Sequence, residues 1–222
     1  MFKKSVSYIL LMNMFYQYYI FFSWYLGDQQ IQIEIALINR FIAFMSSLIF
    51  ILYVHLCYFH RIIFDAPKII TFPPLIMLLS LSIGFLIGVL NLYYFQIYTL
   101  PVSFDILRSK FVGLALMIVF FILIFLSVGK FRENNEDPNP IIKSNKLITS
   151  GIFSYIRNPM YLALLFFQLG VGSLLSFLHI SIFTLFTFYL LNKLIVFEEE
   201  KYLLVMFGKE YEEYKNKSRR WL

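Results

Sequence analysis

The segment SGIFSYIRNPMYLALL, from Ser150 to Leu165, connects a polar stretch of the chain to a long apolar run. Pro159 suits the first position of a helix, because proline lacks the N–H that would have no partner there. Asn158 then takes the N-cap position, where its side-chain oxygen can accept a backbone N–H. The segment therefore predicts an apolar helix that begins at Pro159.

Arg157 puts a cation beside the positive end of that helix dipole. A guanidinium and free backbone N–H groups together favour an anion, such as a carboxylate or a phosphate. The alternative is that Arg157 only contacts lipid headgroups. The segment taken alone leaves both interpretations open.

Apolar runs recur along the 222 residues of the chain, of which 60% are apolar and 14% are charged. A typical soluble domain has about a quarter charged residues, and roughly 20 apolar residues suffice to cross a bilayer. We predict an all-α, polytopic membrane protein with about six transmembrane helices. The expected spans are residues 7–26, 41–59, 74–98, 111–129, 160–177 and 179–197, and the last two form a tight hairpin around Ser176 and His179.

The distribution of basic residues predicts the orientation of these spans. With the N-terminus in the cytoplasm, the inside segments carry 15 Lys and Arg residues and the outside segments carry 3. Cytoplasmic loops carry the excess of basic residues in membrane proteins, so we expect both termini in the cytoplasm. Anionic lipid is then a sufficient partner for the net charge of +6, and no nucleic acid is needed.

The spans themselves contain few residues that carry chemistry. Gly84 and Gly88 form a GxxxG pattern, which favours close packing of helices. Gln168 lies in the fifth span, where a polar side chain is more often an interhelical hydrogen-bond partner than a ligand contact. The three histidines share no helical face with a carboxylate at metal-ligand spacing, so no metal site is expected.

Three consecutive glutamates, Glu198 to Glu200, follow the last span. The residues from Leu191 to Phe207 can form one continuous helix that Gly208 ends. Because consecutive residues lie about 100° apart around a helix, one or two of the glutamates should point towards the protein. A carboxylate there can bind a cation, accept hydrogen bonds or accept a proton. A solvated acidic cluster with Lys193 and Lys201 as partners is the alternative.

The predicted topology places the glutamates and Arg157 on the same side of the membrane, next to one hairpin. We therefore expect them to be neighbours. Phe153, Tyr155 and Tyr161 add aromatic rings close to the same point. A zwitterionic amino acid attached to a nucleoside would fit a site with a cation, carboxylates and aromatic rings.

The segments LITSGIFSYIRNPMYLALL and EEEKYLLVMFGKEYEEYKNKSRRWL together resemble the isoprenylcysteine carboxyl methyltransferase and phospholipid methyltransferase superfamily. These enzymes carry an Arg-His/Asn-Pro-x-Tyr motif at the start of one span and a glutamate-rich motif after the next. The matching residues of the first motif are Arg157, Asn158, Pro159 and Tyr161, preceded by Leu147 and Gly151. Those of the second motif are Glu199, Glu200, Leu203, Phe207, Gly208, Tyr211 and Tyr214.

The resemblance covers residues 138–222 and implies a multi-pass membrane enzyme that uses S-adenosylmethionine. The cofactor would lie in a cytoplasmic-side pocket formed by the two motifs, and a lipophilic acceptor would enter from the bilayer. Arg157 and Glu199 are the implied catalytic residues, with either Glu199 or Glu200 as the group that assists a nucleophile. The implied cofactor contacts are Leu147, Gly151, Arg157, Asn158, Pro159, Tyr161, Glu199 and Glu200.

The chain then divides into a four-span N-terminal region, residues 1–130, and a methyltransferase-like region, residues 131–222. The acceptor would be a prenylcysteine carboxylate, a phospholipid amine or a similar lipophilic group. Two departures weaken the assignment of prenylcysteine. The isoprenylcysteine branch usually has His at the position of Asn158, and the family often has a Pro after the basic pair, where this chain has Trp221 and Leu222.

Two other functions stay open at this point. A sterol- or polyprenol-type reductase has a similar C-terminal region and would use NADPH, but it would be expected to have more spans. A non-catalytic binding or transport protein is the other alternative. Transporters tend to carry inverted repeats and polar groups near the middle of the membrane, whereas the polar groups of this chain concentrate at one edge.

Overall fold

The computed structural model of the protein describes residues 2–27, 33–59 and 67–222. Within these ranges the secondary structure is helical and contains no strand, so the predicted all-α class is confirmed. Two π-helical segments, Asn91–Phe95 and Asn192–Val196, and two 3-10 helices, Val102–Arg108 and Gly151–Ser154, accompany the α-helices. The α-helices are α1 (Phe2–Leu26), α2 (Ile33–Tyr58), α3 (Pro73–Leu90), α4 (Lys110–Glu133), α5 (Pro159–Leu174), α6 (Leu178–Ile182), α7 (Thr184–Leu191), α8 (Phe197–Phe207) and α9 (Lys209–Lys217).

Four helical stretches among the described residues are long and apolar enough to cross a membrane: Ile38–Tyr58, Pro73–Phe95, Lys110–Glu133 and Leu178–Phe207. The helix α5 is apolar but shorter. The helix α1 covers the first expected span but is not one of the four. The count of six spans and the cytoplasmic orientation of the termini therefore stay predictions. Arg61, one of the 15 basic residues assigned to the inside segments, lies outside the described residues.

The expected hairpin between the fifth and sixth spans is confirmed. It turns at Ser176, which has a left-handed φ of 52°, and the Phe177 N–H donates to the Gly172 carbonyl at 2.9 Å. The chain then runs through α6, α7, the second π-helical segment and α8. This last helix continues to Phe207, as predicted, and the chain changes direction at Gly208, which has a φ of 50°.

One end of the bundle, which we call the packed end, is filled by side chains of α1, α2, α3 and the hairpin. The GxxxG prediction is confirmed there, because a Cβ on Gly84 would lie 2.9 Å from the His179 carbonyl oxygen. Gln168 joins the two arms of the hairpin: its amide donates to the Ile180 carbonyl at 3.1 Å and accepts from the Thr187 hydroxyl. The buried apolar residues of the packed end are Phe21, Phe22, Trp24, Ala43, Leu81, Phe85, Val89, Phe177 and Ile180.

The opposite end, the cleft end, has a second apolar cluster that joins the start of α5 to the last helix. This cluster lies next to the candidate site, since it contains Ile156 from the segment before α5 and Ile195 from the second π-helical segment. A small third cluster of Leu147, Tyr211 and Tyr214 fixes α9 against the loop before α5. The full second cluster is Ile69, Ile76, Leu123, Ile156, Leu162, Ala163, Leu165, Leu191 and Ile195.

Candidate functional site

A cleft of about 650 Å³, partly open to solvent, lies where α8 and α9 meet the start of α5. We call it the main cleft. A second cleft of about 310 Å³ adjoins it and is lined by Pro159 and Tyr161 in addition to shared residues. Gly151 lines neither cleft. The other predicted site residues, which line the main cleft, are Leu147, Arg157, Asn158, Glu199 and Glu200.

Arg157 is nearly buried and is held by protein groups. Its Nε and Nη2 both lie 3.3 Å from Glu200 Oε1, and its Nη1 donates to the carbonyls of Lys215 and Ser218. Because a guanidinium has five N–H groups, one remains for a ligand. Arg157 and Glu200 are therefore neighbours, as predicted. The alternative that Arg157 only contacts lipid headgroups is wrong.

The C-terminal segment after α9 returns to the start of α5 and completes this arrangement. Arg220 Nε donates to Glu200 Oε1 at 3.0 Å, and Arg220 Nη2 donates to Glu200 Oε2. This hydrogen bonding raises the pKa of Arg220 above its ordinary value. Glu200 therefore lies between two guanidinium groups, those of Arg157 and Arg220.

The same segment is fixed through its backbone. The Arg157 N–H donates to the Arg219 carbonyl at 2.8 Å, and the Arg219 N–H donates to the Tyr155 carbonyl at 2.9 Å. Arg220 was missed in the sequence analysis, where it counted only as a basic residue of the tail. Its position in the basic pair was the only signal.

Asn158 occupies the N-cap position of α5, and Pro159 begins the helix, as predicted. The predicted side-chain cap is wrong, because the Asn158 side chain makes no bond to the helix N-terminus. Its Nδ2 instead donates to the Arg220 carbonyl at 2.9 Å.

Glu199 and Glu200 face the protein, whereas Glu198 does not. Glu199 Oε2 accepts a hydrogen bond from the Tyr161 hydroxyl at 2.8 Å, and no cation of the described ranges pairs with it. Glu198 lies 2.9 Å from Lys201 Nζ on the outer surface. The expectation that one or two glutamates point inward is confirmed, and the solvated alternative holds for Glu198 alone.

Aromatic rings form much of the wall of the main cleft. Phe153 is buried in it, whereas Tyr155 is 73% exposed and lies outside the site. The Tyr214 hydroxyl donates to the Phe153 carbonyl at 2.8 Å, and burial raises the pKa of Tyr214 to about 12. Burial also raises the pKa of Tyr211, whose hydroxyl is buried and has no hydrogen-bond partner in the described chain. Both phenols thus stay protonated at neutral pH.

The loop between α4 and α5 forms the remaining wall. Lys146 adds a cation to the lining, and Ser144 is fixed by its N–H, which donates to the Tyr202 hydroxyl at 3.0 Å. Of these loop residues only Leu147 was predicted as part of the site, because the rest of the polar loop carries no motif that would indicate what it covers. The loop residues that line the main cleft are Asp137, Pro138, Asn139, Pro140, Ser144, Lys146, Leu147 and Ile148.

Comparison with known proteins supports the interpretation of the two motifs. Residues 109–210 match the family model for phospholipid methyltransferase. The protein-S-isoprenylcysteine O-methyltransferase of Schizosaccharomyces pombe (strain 972) is 36% identical over 76 residues, which are 34% of this chain and 32% of that protein. The chain thus matches about a third of the length of this curated relative. No solved structure matches. The C-terminal part of the chain is therefore similar to the isoprenylcysteine and phospholipid methyltransferase superfamily, as its two motifs predict.

Proposed function

We propose that the protein is an integral membrane methyltransferase that uses S-adenosylmethionine and acts on a lipophilic acceptor at the cytoplasmic face. The observation that carries this proposal is the meeting of the two motifs at one cleft. Arg157 of the first motif holds Glu200 of the second, and Tyr161 of the first holds Glu199 of the second. The proposal includes six spans, both termini in the cytoplasm, and a division near residue 130.

The groups that line the main cleft fit this cofactor. Lys146 and the remaining N–H of Arg157 suit a carboxylate, and Glu199 suits an amine or ribose hydroxyls. The unpartnered hydroxyl of Tyr211 and the ring of Phe153 suit a nucleoside. We propose Leu147, Arg157, Asn158, Pro159, Tyr161, Glu199 and Glu200 as its surroundings, with Gly151 supporting the loop.

S-Adenosylmethionine, when bound, supplies a methyl group on a sulfonium, which is intrinsically reactive. The protein then contributes positioning and electrostatics. Arg157 acts as a positioning residue, because it holds Glu200 and the carbonyls of the C-terminal segment. Glu199 is the proposed catalytic group: it has one hydrogen-bond donor and no cation partner among the described residues, so it can take a proton from an acceptor.

The acceptor is proposed to be lipophilic. The name of the Schizosaccharomyces pombe relative suggests an isoprenylcysteine carboxylate, and the name of the matching family suggests a phospholipid headgroup. The NADPH-dependent reductase and the non-catalytic alternatives have no specific observation in their favour.

The experiment that tests the proposal is calorimetric titration of the detergent-purified protein with S-adenosylmethionine and, separately, with NADPH. We expect saturable binding of S-adenosylmethionine only, and weaker binding by the Arg157→Ala variant. The matched control is Glu198→Ala, whose side chain lies on the outer surface and should leave the affinity unchanged. Absence of S-adenosylmethionine binding by protein with an intact cooperative unfolding transition contradicts the proposal.

A further inference from the structure

A separate cleft of about 430 Å³ lies beside the helical stretch from α7 to α8, next to the main cleft. It is lined by Tyr189, Asn192, Lys193, Phe197 and Arg220, and we call it the lysine cleft. Arg220 forms part of its wall, and the partner of Arg220, Glu200, lines the main cleft. The Arg220–Glu200 pair thus separates the two clefts.

Lys193 is the unusual residue of the lysine cleft. It lies inside the apolar stretch Leu178–Phe207, where an ammonium group is costly unless it reaches water or an anion. Lys193 is exposed, and within the described part of the chain no carboxylate pairs with it. Lys201, which the sequence analysis grouped with it, pairs with Glu198 instead.

The backbone and a second polar group also mark this position. Asn192–Val196 is π-helical, and the Phe197 N–H bonds to the Asn192 carbonyl across it. Such segments frequently occur at functional sites, because they change the direction in which side chains point. The side-chain Oδ1 of Asn192 is buried and has no hydrogen-bond partner among the described groups.

Arg220 contributes a second cation. It gives one edge of its guanidinium to Glu200, and its side chain is 38% exposed. Arg157, Glu200 and Arg220 together carry a net charge of one positive unit, and Lys193 adds a further positive charge. Tyr189 and Phe197 supply apolar surface to the lining of the cleft.

We propose that the lysine cleft selects the acceptor by binding an anionic group, a phosphate or a carboxylate, between Lys193 and Arg220. The role as an acceptor site rests on the proposed methyltransferase function. Lys193 is then a specificity-determining residue, and the apolar part of the acceptor extends from Tyr189 and Phe197 towards the bilayer. The unpartnered oxygen of Asn192 suits a hydroxyl or amine next to the anionic group.

The test measures binding of three amphiphiles with the same chain: dodecyl phosphate, dodecanoate and dodecanol. Binding is followed by the fluorescence of Trp221, which follows Arg220 in the chain and packs on Phe188, in a Trp24→Phe background. We expect saturable binding of at least one anionic amphiphile and weak binding of dodecanol. Preference for dodecyl phosphate indicates a phosphate-bearing lipid, and preference for dodecanoate indicates a lipid acid.

Lys193→Gln should weaken anionic binding by about tenfold, which is typical for loss of a charged hydrogen bond. Lys193→Arg should retain it. The matched control is Lys209→Gln, an exposed lysine of α9 that lines none of the three clefts. Equal binding of dodecanol, or unchanged binding by Lys193→Gln, overturns the proposal.

Calorimetric titration of the same samples with S-adenosylmethionine separates this inference from the proposed function. Lys193→Gln should bind the cofactor as the unchanged protein does. A protein that binds the anionic amphiphile through Lys193 but binds no S-adenosylmethionine retains the anion cleft and overturns its role as an acceptor site. A protein that binds the cofactor but no anionic amphiphile retains the proposed function and overturns the inference.

Discussion

The packed end of the bundle has a core of aromatic side chains, whereas the cleft end brings the charged and polar groups of the two motifs together around the main cleft. At the packed end Phe85 contacts Phe21 and Phe177 with ring centroids 4.9 and 5.7 Å apart, and all three rings are almost fully buried. At the cleft end Tyr211 is just as buried, yet its hydroxyl lacks a partner among the described residues. Interior polar groups are normally satisfied. Trp24 Nε1 at the packed end also has no partner among the described residues, so the cleft end differs in that the residue with the unpartnered hydroxyl lines the main cleft, where a ligand can bind.

The same helices serve both ends. The helical stretch Leu178–Phe207 carries His179 at the packed end, where its Nε2 lies 3.1 Å from the Tyr98 hydroxyl, and Glu199 and Glu200 at the cleft end. A substitution at the packed end should therefore change stability without changing ligand affinity. A substitution at the cleft end should change affinity, and it should change stability where it breaks an ion pair or removes a buried polar group.

The largest expected effect is that of Glu200→Ala. This variant leaves Arg157 and Arg220 facing each other without the carboxylate that joins them, and removal of one partner of a buried pair costs about 3–5 kcal/mol. We expect a clear fall in the thermal unfolding temperature and loss of S-adenosylmethionine binding. Glu198→Ala is the control, since its pair with Lys201 is exposed and should contribute at most about 1 kcal/mol. Similar losses in the two variants would contradict the buried arrangement.

A substitution at the packed end tests the other half of the comparison. In Gly84→Val the new Cβ would lie 2.9 Å from the His179 carbonyl and from Phe183 Cβ, and overpacking of this kind costs roughly 1–3 kcal/mol. We expect a lower unfolding temperature with unchanged cofactor affinity per folded molecule. Gly129→Ala is the control, because nothing lies within 4 Å of the added carbon. A specific loss of cofactor affinity in Gly84→Val would mean that the two ends are coupled.

Tyr161→Phe should have a smaller effect that is confined to the cleft end. It removes the hydroxyl that donates to Glu199 Oε2 at 2.8 Å, and loss of a bond to a charged group costs about 1.5–3 kcal/mol. Because a ligand or water can replace the lost donor, we expect the lower end of this range. It would appear as roughly tenfold weaker cofactor binding. Tyr155→Phe, at an exposed ring outside the site, should bind normally.

The smallest effect, and the most diagnostic, is that of Tyr211→Phe. Removing a buried hydroxyl without a partner should raise the stability of the ligand-free protein, since an unsatisfied group costs about 1–3 kcal/mol. The same change should weaken S-adenosylmethionine binding if the hydroxyl meets the cofactor. Thermal unfolding without cofactor measures the expected gain in stability, and unfolding with cofactor measures the expected loss of binding. Lower stability without cofactor would show that the hydroxyl has a partner.

The helices and the contact between the two motifs could be predicted because their signals are local. Pro159 and Gly208 mark where helices begin and end, and the apolar runs give approximate spans. The meeting of Arg157 with Glu200 followed from topology alone, because both lie at the same end of one hairpin. Family resemblance then supplied the cofactor, which the residues by themselves only suggested.

The C-terminal segment could not be predicted in the same way. Its bonds to Arg157 and Asn158 join residues about 60 positions apart, and no periodic pattern precedes them. The position of Arg220 depends on the return of this segment along Tyr155–Arg157. The side chain of Asn158 was assigned to the helix N-terminus for the same reason: the nearby carbonyl of Arg220 that takes its amide is distant in sequence.

The π-helical segment Asn192–Val196 affects the direction in which the side chains of α8 point. Each residue of an α-helix advances the direction of its side chain by about 100°, and a π-turn holds one residue more than an α-turn. Deletion of one residue from this segment would restore regular α-helix and leave the direction of the following side chains almost unchanged. If the same residues instead formed regular α-helix with none deleted, everything beyond them would rotate by roughly 100° relative to α7. Glu199 would then turn away from Tyr161, and Glu200 away from Arg157. The direction of both carboxylates thus depends on the π-turn one turn upstream, which absorbs one extra residue in a part of the helix that carries no motif.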